Sequence, residues 1–174
     1  MRYYRELDID CTEIREAILE DYIPKENPSF WNDIDNVHMD ILTNMFKQLN
    51  ITPKYYSLIN ASASNFNIHT DACPEPIRIN IPLLNCELST TIFYKSWNNN
   101  SPQIIFDNPE LGTRRHKHFN QSDVHIADMM KLKKPTAIRV HEPHAVAVLK
   151  KYTPRLALTV GFEEDLEDIL NEIL

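Results

Sequence analysis

Between Pro53 and Phe162 the chain breaks into short runs rich in Ile, Val, Leu, Thr and Tyr, separated by Asn, Pro and Asp. β-branched and aromatic side chains suit a pleated, half-buried surface, and such closely spaced turn residues leave little length for helices. The segment therefore predicts strands over 54–62, 65–70, 77–84, 88–95, 102–106, 123–131, 135–141, 144–150 and 154–162. In the run IRINIPL the alternation places Ile77, Ile79, Ile81 and Leu83 on one face and Arg78 and Asn80 on the other. An arginine facing inward needs a partner.

Before this block the periodicity is helical. Ile14, Ala17, Ile18 and Tyr22 predict a helix over 10–20, with Thr12 as its cap, Glu13 and Glu16 in its first turn and Pro24 marking its end. A second helix is expected over 34–49, its apolar stripe formed by Val37, Ile41, Leu42, Met45, Phe46 and Leu49. The closing EEDLEDILNEIL reads as an acidic amphipathic helix that lays Leu166, Ile169, Leu170 and Ile173 on the sheet. Two helices, many short strands and a last helix predict a mainly β (α+β) chain, a double-stranded β-helix or jelly roll with helices packed on it. The expected organisation is one domain, with helical support over 1–52, the barrel over 53–162 and the closing helix over 163–174.

Composition removes several functions. Two glycines, Gly112 and Gly161, exclude Gly-rich phosphate loops of the P-loop or dinucleotide type. A net charge of −7 argues against nonspecific capture of nucleic acid, which depends on neutralising phosphates. Cys11, Cys73 and Cys86 are odd in number and form no CxxC pair, which suits reduced thiols rather than disulfides or a thiolate zinc site. No run approaches the roughly 18 apolar residues of a membrane span, and MRYYRELDID is charged where a signal peptide is apolar, so a soluble cytoplasmic protein is expected.

The chemistry concentrates in NIHTD. Residues i and i+2 of a strand point the same way, so His69 and Asp71 can reach one metal ion. A third ligand comes from VHEPHAVAV, where His144 opens a strand and Arg155 follows eleven positions later in PRLALTVGF; His141 competes with His144 for the role. Two His and one carboxylate on one face leave coordination positions open, the arrangement by which non-haem Fe(II) binds a cosubstrate and O₂ together.

This pattern resembles the superfamily of 2-oxoglutarate- and Fe(II)-dependent dioxygenases, in which HxD is followed at a distance by a His and, roughly ten residues on, an Arg. IRINIPL after HTD is also similar to the aspartyl/asparaginyl hydroxylase-like branch, and compact viral and bacterial prolyl-hydroxylase-like members are the other comparison. The resemblance covers about 95 residues from Asn67 to Phe162. It implies a metal held by His69, Asp71 and His144, and Arg155 paired with the distal carboxylate of 2-oxoglutarate, which a planar guanidinium fits better than Lys. Thr159, on the same strand face, adds a hydroxyl. Arg78 and Asn80 are candidates for the other end of the cosubstrate or for orienting Asp71, and either Asn60 or Ser62 supplies a polar group on the preceding strand. The implied activity is hydroxylation of a peptide side chain, amino acid or small molecule, with O₂ consumed and 2-oxoglutarate converted to succinate and CO₂.

Two rival readings use the same residues. A cupin-like metal barrel without oxygenase activity favours a His-rich set with Gly-bounded motifs and has no need of Arg155. A jelly roll used only for binding or structure needs none of the three ligands. Nucleic acid is disfavoured as a partner by charge. The polar segment SWNNNSPQIIFDNPELGTRRHKHFNQS, with Arg114, Arg115, His116, Lys117 and His118, reads as a solvated connection or a lid over the barrel mouth. Tyr94 and Trp97 are expected to pack or to wall the pocket, and Trp31, Tyr55 and Tyr56 to make core or helix-to-barrel contacts.

Overall fold

The computed structural model describes residues 1–22, 31–32, 37–61, 67–71, 73–97, 104–107 and 115–171. These residues are mostly β, with three α-helices. In chain order they form β1 (Tyr4–Glu6), α1 (Thr12–Asp21), β2 (Trp31–Asn32), α2 (Met39–Phe46), β3 (Pro53–Ala61), β4 (Ile68–Thr70), β5 (Ile77–Leu84), β6 (Thr90–Ser96), β7 (Ile104–Asp107) and β8 (Arg115–Phe119). There follow β9 (Val124–Met130), β10 (Thr136–Arg139), β11 (His144–Ala147), β12 (Arg155–Phe162) and α3 (Glu167–Asn171). The strands make two six-stranded sheets, ordered β1-β10-β5-β12-β3-β2 and β7-β8-β4-β11-β6-β9.

Strand β12 lies between β5 and β3 and is buried on both faces. One face carries Leu156, Leu158, Val160 and Phe162, which join Ile77, Ile79, Ile81 and Leu83 of β5 against Ile14 and Ile18 of α1, Leu42 and Phe46 of α2, and Ile169 and Leu170 of α3. Each such aliphatic side chain taken from water contributes about 1.5–3 kcal/mol, so this apolar layer is the main stabiliser of the fold. The other face of the first sheet meets the second sheet, where Ile138 and Ala157 pack with Phe93, Met130, Cys73 and Cys86.

Several expectations are corrected. Helix α1 begins with Thr12 as its first residue and not as its cap: Cys11 holds the N-cap position without a side-chain cap bond, and Asp10 Oδ1 accepts hydrogen bonds from the Thr12 N–H at 2.9 Å and hydroxyl at 2.7 Å. Helix α2 is shorter than the sequence suggests and runs into a 3-10 turn at Lys47–Leu49; Val37 precedes its N-cap and is 67% exposed, so it leaves the stripe. RHKHF, expected in a polar connection, is strand β8, held by backbone pairing to β4 and β7, a contact that needs no apolar alternation. Strands β1 and β2 also had no periodic pattern to announce them. Ser62, Arg114 and Ile173 lie outside the described residues.

Two contacts give tests of this packing. Gly161 sits opposite Tyr55, and a Cβ there would lie 2.5 Å from Cζ of the Tyr55 ring. Gly161→Ala is expected to displace Tyr55 and cost about 1–3 kcal/mol in thermal unfolding; an unchanged Tm would contradict the close approach. Arg139 of β10 grips Glu167 of α3 through two hydrogen bonds, one of 2.7 Å to Oε2 and one to Oε1, and this contact holds the Glu167 carboxyl below its usual range. A depressed folded pKa stabilises above the unfolded value of about 4.3 and ceases to do so as pH falls through the folded one. Glu167→Gln should therefore cost about 1 kcal/mol or less at neutral pH in urea unfolding, because the pair is partly exposed. The gap from wild type should shrink as pH falls below the unfolded value and through the lower folded one.

Candidate metal centre

Three residues from two adjacent segments of the second sheet converge. His144, first residue of β11, is registered opposite His69, the middle residue of β4, and directly paired antiparallel residues share a face. Asp71 follows β4, and its N–H donates to the Val140 carbonyl at 2.9 Å, which pins it beside the pair. The ligand atoms of His69, Asp71 and His144 all lie within 4.8 Å of one another. Nε2 of His69 is 3.5 Å and Nε2 of His144 is 3.8 Å from Asp71 Oδ1. With ligand bonds of about 2.1 Å, neighbouring ligand atoms sit about 3 Å apart, so these two separations need close by less than about 1 Å around an ion.

The tautomer of both rings is set by the backbone. Nδ1 of His69 lies 2.9 Å from the Asn67 carbonyl and Nδ1 of His144 lies 2.9 Å from the Glu142 carbonyl. A carbonyl only accepts, so in each ring Nδ1 carries a proton, and in the neutral form Nε2 is left with the lone pair. Asp71 Oδ1 is buried without a hydrogen-bond donor, the state expected of a ligand atom awaiting a cation. Burial opposes the charge on Asp71, but the facing His69, together with the charges of His144 and Arg78, holds the carboxyl well below the ordinary range. Burial likewise pushes the His69 pKa down, and Asp71 outweighs it, so the net shift is upward.

The triad opens into a partly open pocket walled also by Ile59, Asn80, Thr91, Ile138, Val140, Val146, Arg155 and Thr159. Arg155, the first residue of β12, is 1% exposed. Its Nε donates to Ser89 Oγ at 3.3 Å, and no carboxylate among the described residues pairs with it. Thr159 shares its strand face, and Asn80, registered beside Thr159, has a buried Oδ1 with no donor.

Other candidate residues are placed elsewhere. Asn60 is registered with Leu156, on the face that meets the helices; the odd positions Ile59 and Ala61 face the second sheet, so Asn60 does not serve the pocket. Arg78 faces inward but beside the pocket wall: it donates to Tyr55 Oη, which in turn donates to Glu75 at 2.7 Å, while its Nε is buried without an acceptor. His141 turns its Nε2 to the Cys73 carbonyl at 2.7 Å, away from the triad. His118 of β8 is registered on the far side of His69, with ring centroids 6.2 Å apart. Tyr94 is buried with Ile68, Val124 and Ala145, and Trp97 is 64% exposed against His125; neither walls the pocket. Ser89 and Thr91 were missed, because a short polar residue near a turn carries no pattern that separates a pocket wall from a surface loop.

Compared with protein-family models, with curated proteins and with solved structures, the chain finds no match in any of the three. Among the described residues, no helix is long and apolar enough to cross a membrane.

The geometry predicts one divalent ion per chain. In calorimetric titration with Co(II), His69→Ala and Asp71→Ala should each abolish binding, whereas His141→Ala should retain it within a few fold. Loss of binding in His141→Ala to the same degree would move the third ligand to position 141.

Proposed function

We propose that the chain is an Fe(II)- and 2-oxoglutarate-dependent oxygenase that hydroxylates a peptide side chain, amino acid or small molecule, releasing succinate and CO₂. The observation that carries this reading is the buried Arg155, paired with no carboxylate among the described residues, in one pocket with the two-His, one-carboxylate triad. An uncompensated guanidinium in such a place costs several kcal/mol, and a bound dianion offsets that cost. A metal barrel without a 2-oxo acid leaves Arg155 without a purpose. The strand order supports the finer fold assignment: from β3 to β6 and from β9 to β12 successive strands alternate between the two sheets, as in a double-stranded β-helix or jelly roll.

Each part of the site has a task in this chemistry. His69, Asp71 and His144 would hold the metal. An Fe(II) ion held there would supply the coupling of 2-oxo acid decarboxylation to O₂-dependent oxidation of the substrate. The Asn67 and Glu142 carbonyls keep both imidazoles in the ligating tautomer. Arg155 takes the distal carboxylate in the bidentate manner its planar fork allows, and Thr159 and Asn80 line the path between it and the metal. Ile59, Ile138, Val140 and Val146 keep that path apolar, which strengthens the ion pair and excludes water.

The test is an anaerobic titration of metal-free protein with Fe(II) and then 2-oxoglutarate, following the visible charge-transfer band of a chelated 2-oxo acid. Wild type should give the band, and Asp71→Ala should not. Arg155→Gln should bind the metal but require about 100-fold more 2-oxoglutarate. Tight metal binding with no band at any 2-oxoglutarate concentration would instead favour a metal barrel of another activity.

A further inference from the structure

The turn between β5 and β6 is built around the residues that open β12. Asn85 holds left-handed backbone at φ 56°, and a 3-10 turn follows at Cys86–Leu88. From this turn three side chains reach three consecutive residues. Asn85 Nδ2 donates to the Pro154 carbonyl at 2.9 Å. Ser89 Oγ accepts from Arg155 Nε at 3.3 Å while donating its own hydrogen to the Cys86 carbonyl at 2.7 Å. The Cys86 thiol donates to the Leu156 carbonyl at 2.8 Å. Cys86, Ser89, Arg155 and Leu156 are each 2% exposed or less.

Because the Ser89 hydrogen is committed to Cys86, its lone pair is what Arg155 meets, and the guanidinium is fixed at its Nε edge. Arg155 lines the pocket, and with Nε held its guanidinium is not free to swing on a long side chain. We propose that Asn85, Cys86 and Ser89 form a seat that fixes the reach of Arg155 and so selects the length of the dicarboxylic 2-oxo acid the site accepts. The proposal rests on the cosubstrate reading above and adds to it a specificity device: a guanidinium held at one reach from the triad would favour one chain length of 2-oxo diacid over those a carbon shorter or longer. Ser89 and Asn85 act through Arg155 and are positioning residues.

The experiment uses Fe(II)-loaded protein under anaerobic conditions and titrates 2-oxoglutarate, oxaloacetate and 2-oxoadipate through the charge-transfer band. Wild type should prefer 2-oxoglutarate at least tenfold over both neighbours. Ser89→Ala should weaken 2-oxoglutarate about tenfold and reduce the preference to a few fold, with Fe(II) affinity measured alongside as the control for folding. Asn85→Gly, which keeps the left-handed backbone and removes only the hold on Pro154, should narrow the preference in the same direction. A preference unchanged in both variants overturns the seat while leaving the cosubstrate reading intact. Absence of a band with all three acids in metal-loaded wild type overturns that reading and the seat with it.

Discussion

His69 stands opposite His144, and the chemistry of the centre hangs on that one register. Strand β4 has only three residues and meets β11 at a single registered pair. A slip by one residue would turn His69 to the outer face, since strand side chains alternate. The register is enforced from outside the pair. β11 is in step with β6 over His144↔Phe93, Ala145↔Ile92, Val146↔Thr91 and Ala147↔Thr90. The segments flanking the ligands are laced by backbone bonds, Asp71 N–H to Val140 at 2.9 Å, Val140 N–H to Pro76 at 2.9 Å and Tyr94 N–H to Pro143 at 2.8 Å. On the other side β8 pairs through His69↔His118 and gives β4 a second neighbour.

The first sheet divides the labour between its faces. Toward the helices it is an apolar layer, with Leu156, Leu158 and Val160 fully buried. Toward the second sheet it carries Arg155, Thr159 and Arg78, all 3% exposed or less. Buried polar groups of this kind cost stability unless paired, and Asp71 and Asn80 each keep an unpartnered buried atom on the pocket wall, as Tyr3, Arg78 and His125 do outside it. The helix-facing layer supplies the stability against which such groups are maintained, and the two on the pocket wall lie where a ligand would meet them.

What the sequence made legible followed period. Alternation in IRINIPL separates Ile77, Ile79, Ile81 and Leu83 from Arg78 and Asn80, and the burial follows it. The i, i+2 spacing of His69 and Asp71 is local and could be read directly. Other features depend on partners distant in sequence. Strand parity at Asn60 is set by its register with Leu156 across the sheet, so a polar residue on a strand was readable while its face was not. RHKHF becomes a strand because β4 and β7 lie on either side of it. His144 is preferred in sequence for its spacing to Arg155, but His141 competes with it until the Cys73 carbonyl claims that ring. Ser89 gains its meaning only from Arg155, 66 positions away.

X-ray absorption at the iron edge of the Fe(II)-loaded protein tests the central claim most directly, because it counts the ligands that the β4–β11 register brings together. The account predicts a shell of nitrogen and oxygen atoms alone, with multiple scattering from two imidazoles and no sulfur. A third imidazole, drawn from His118 or His141, or a sulfur neighbour from Cys73, would contradict it.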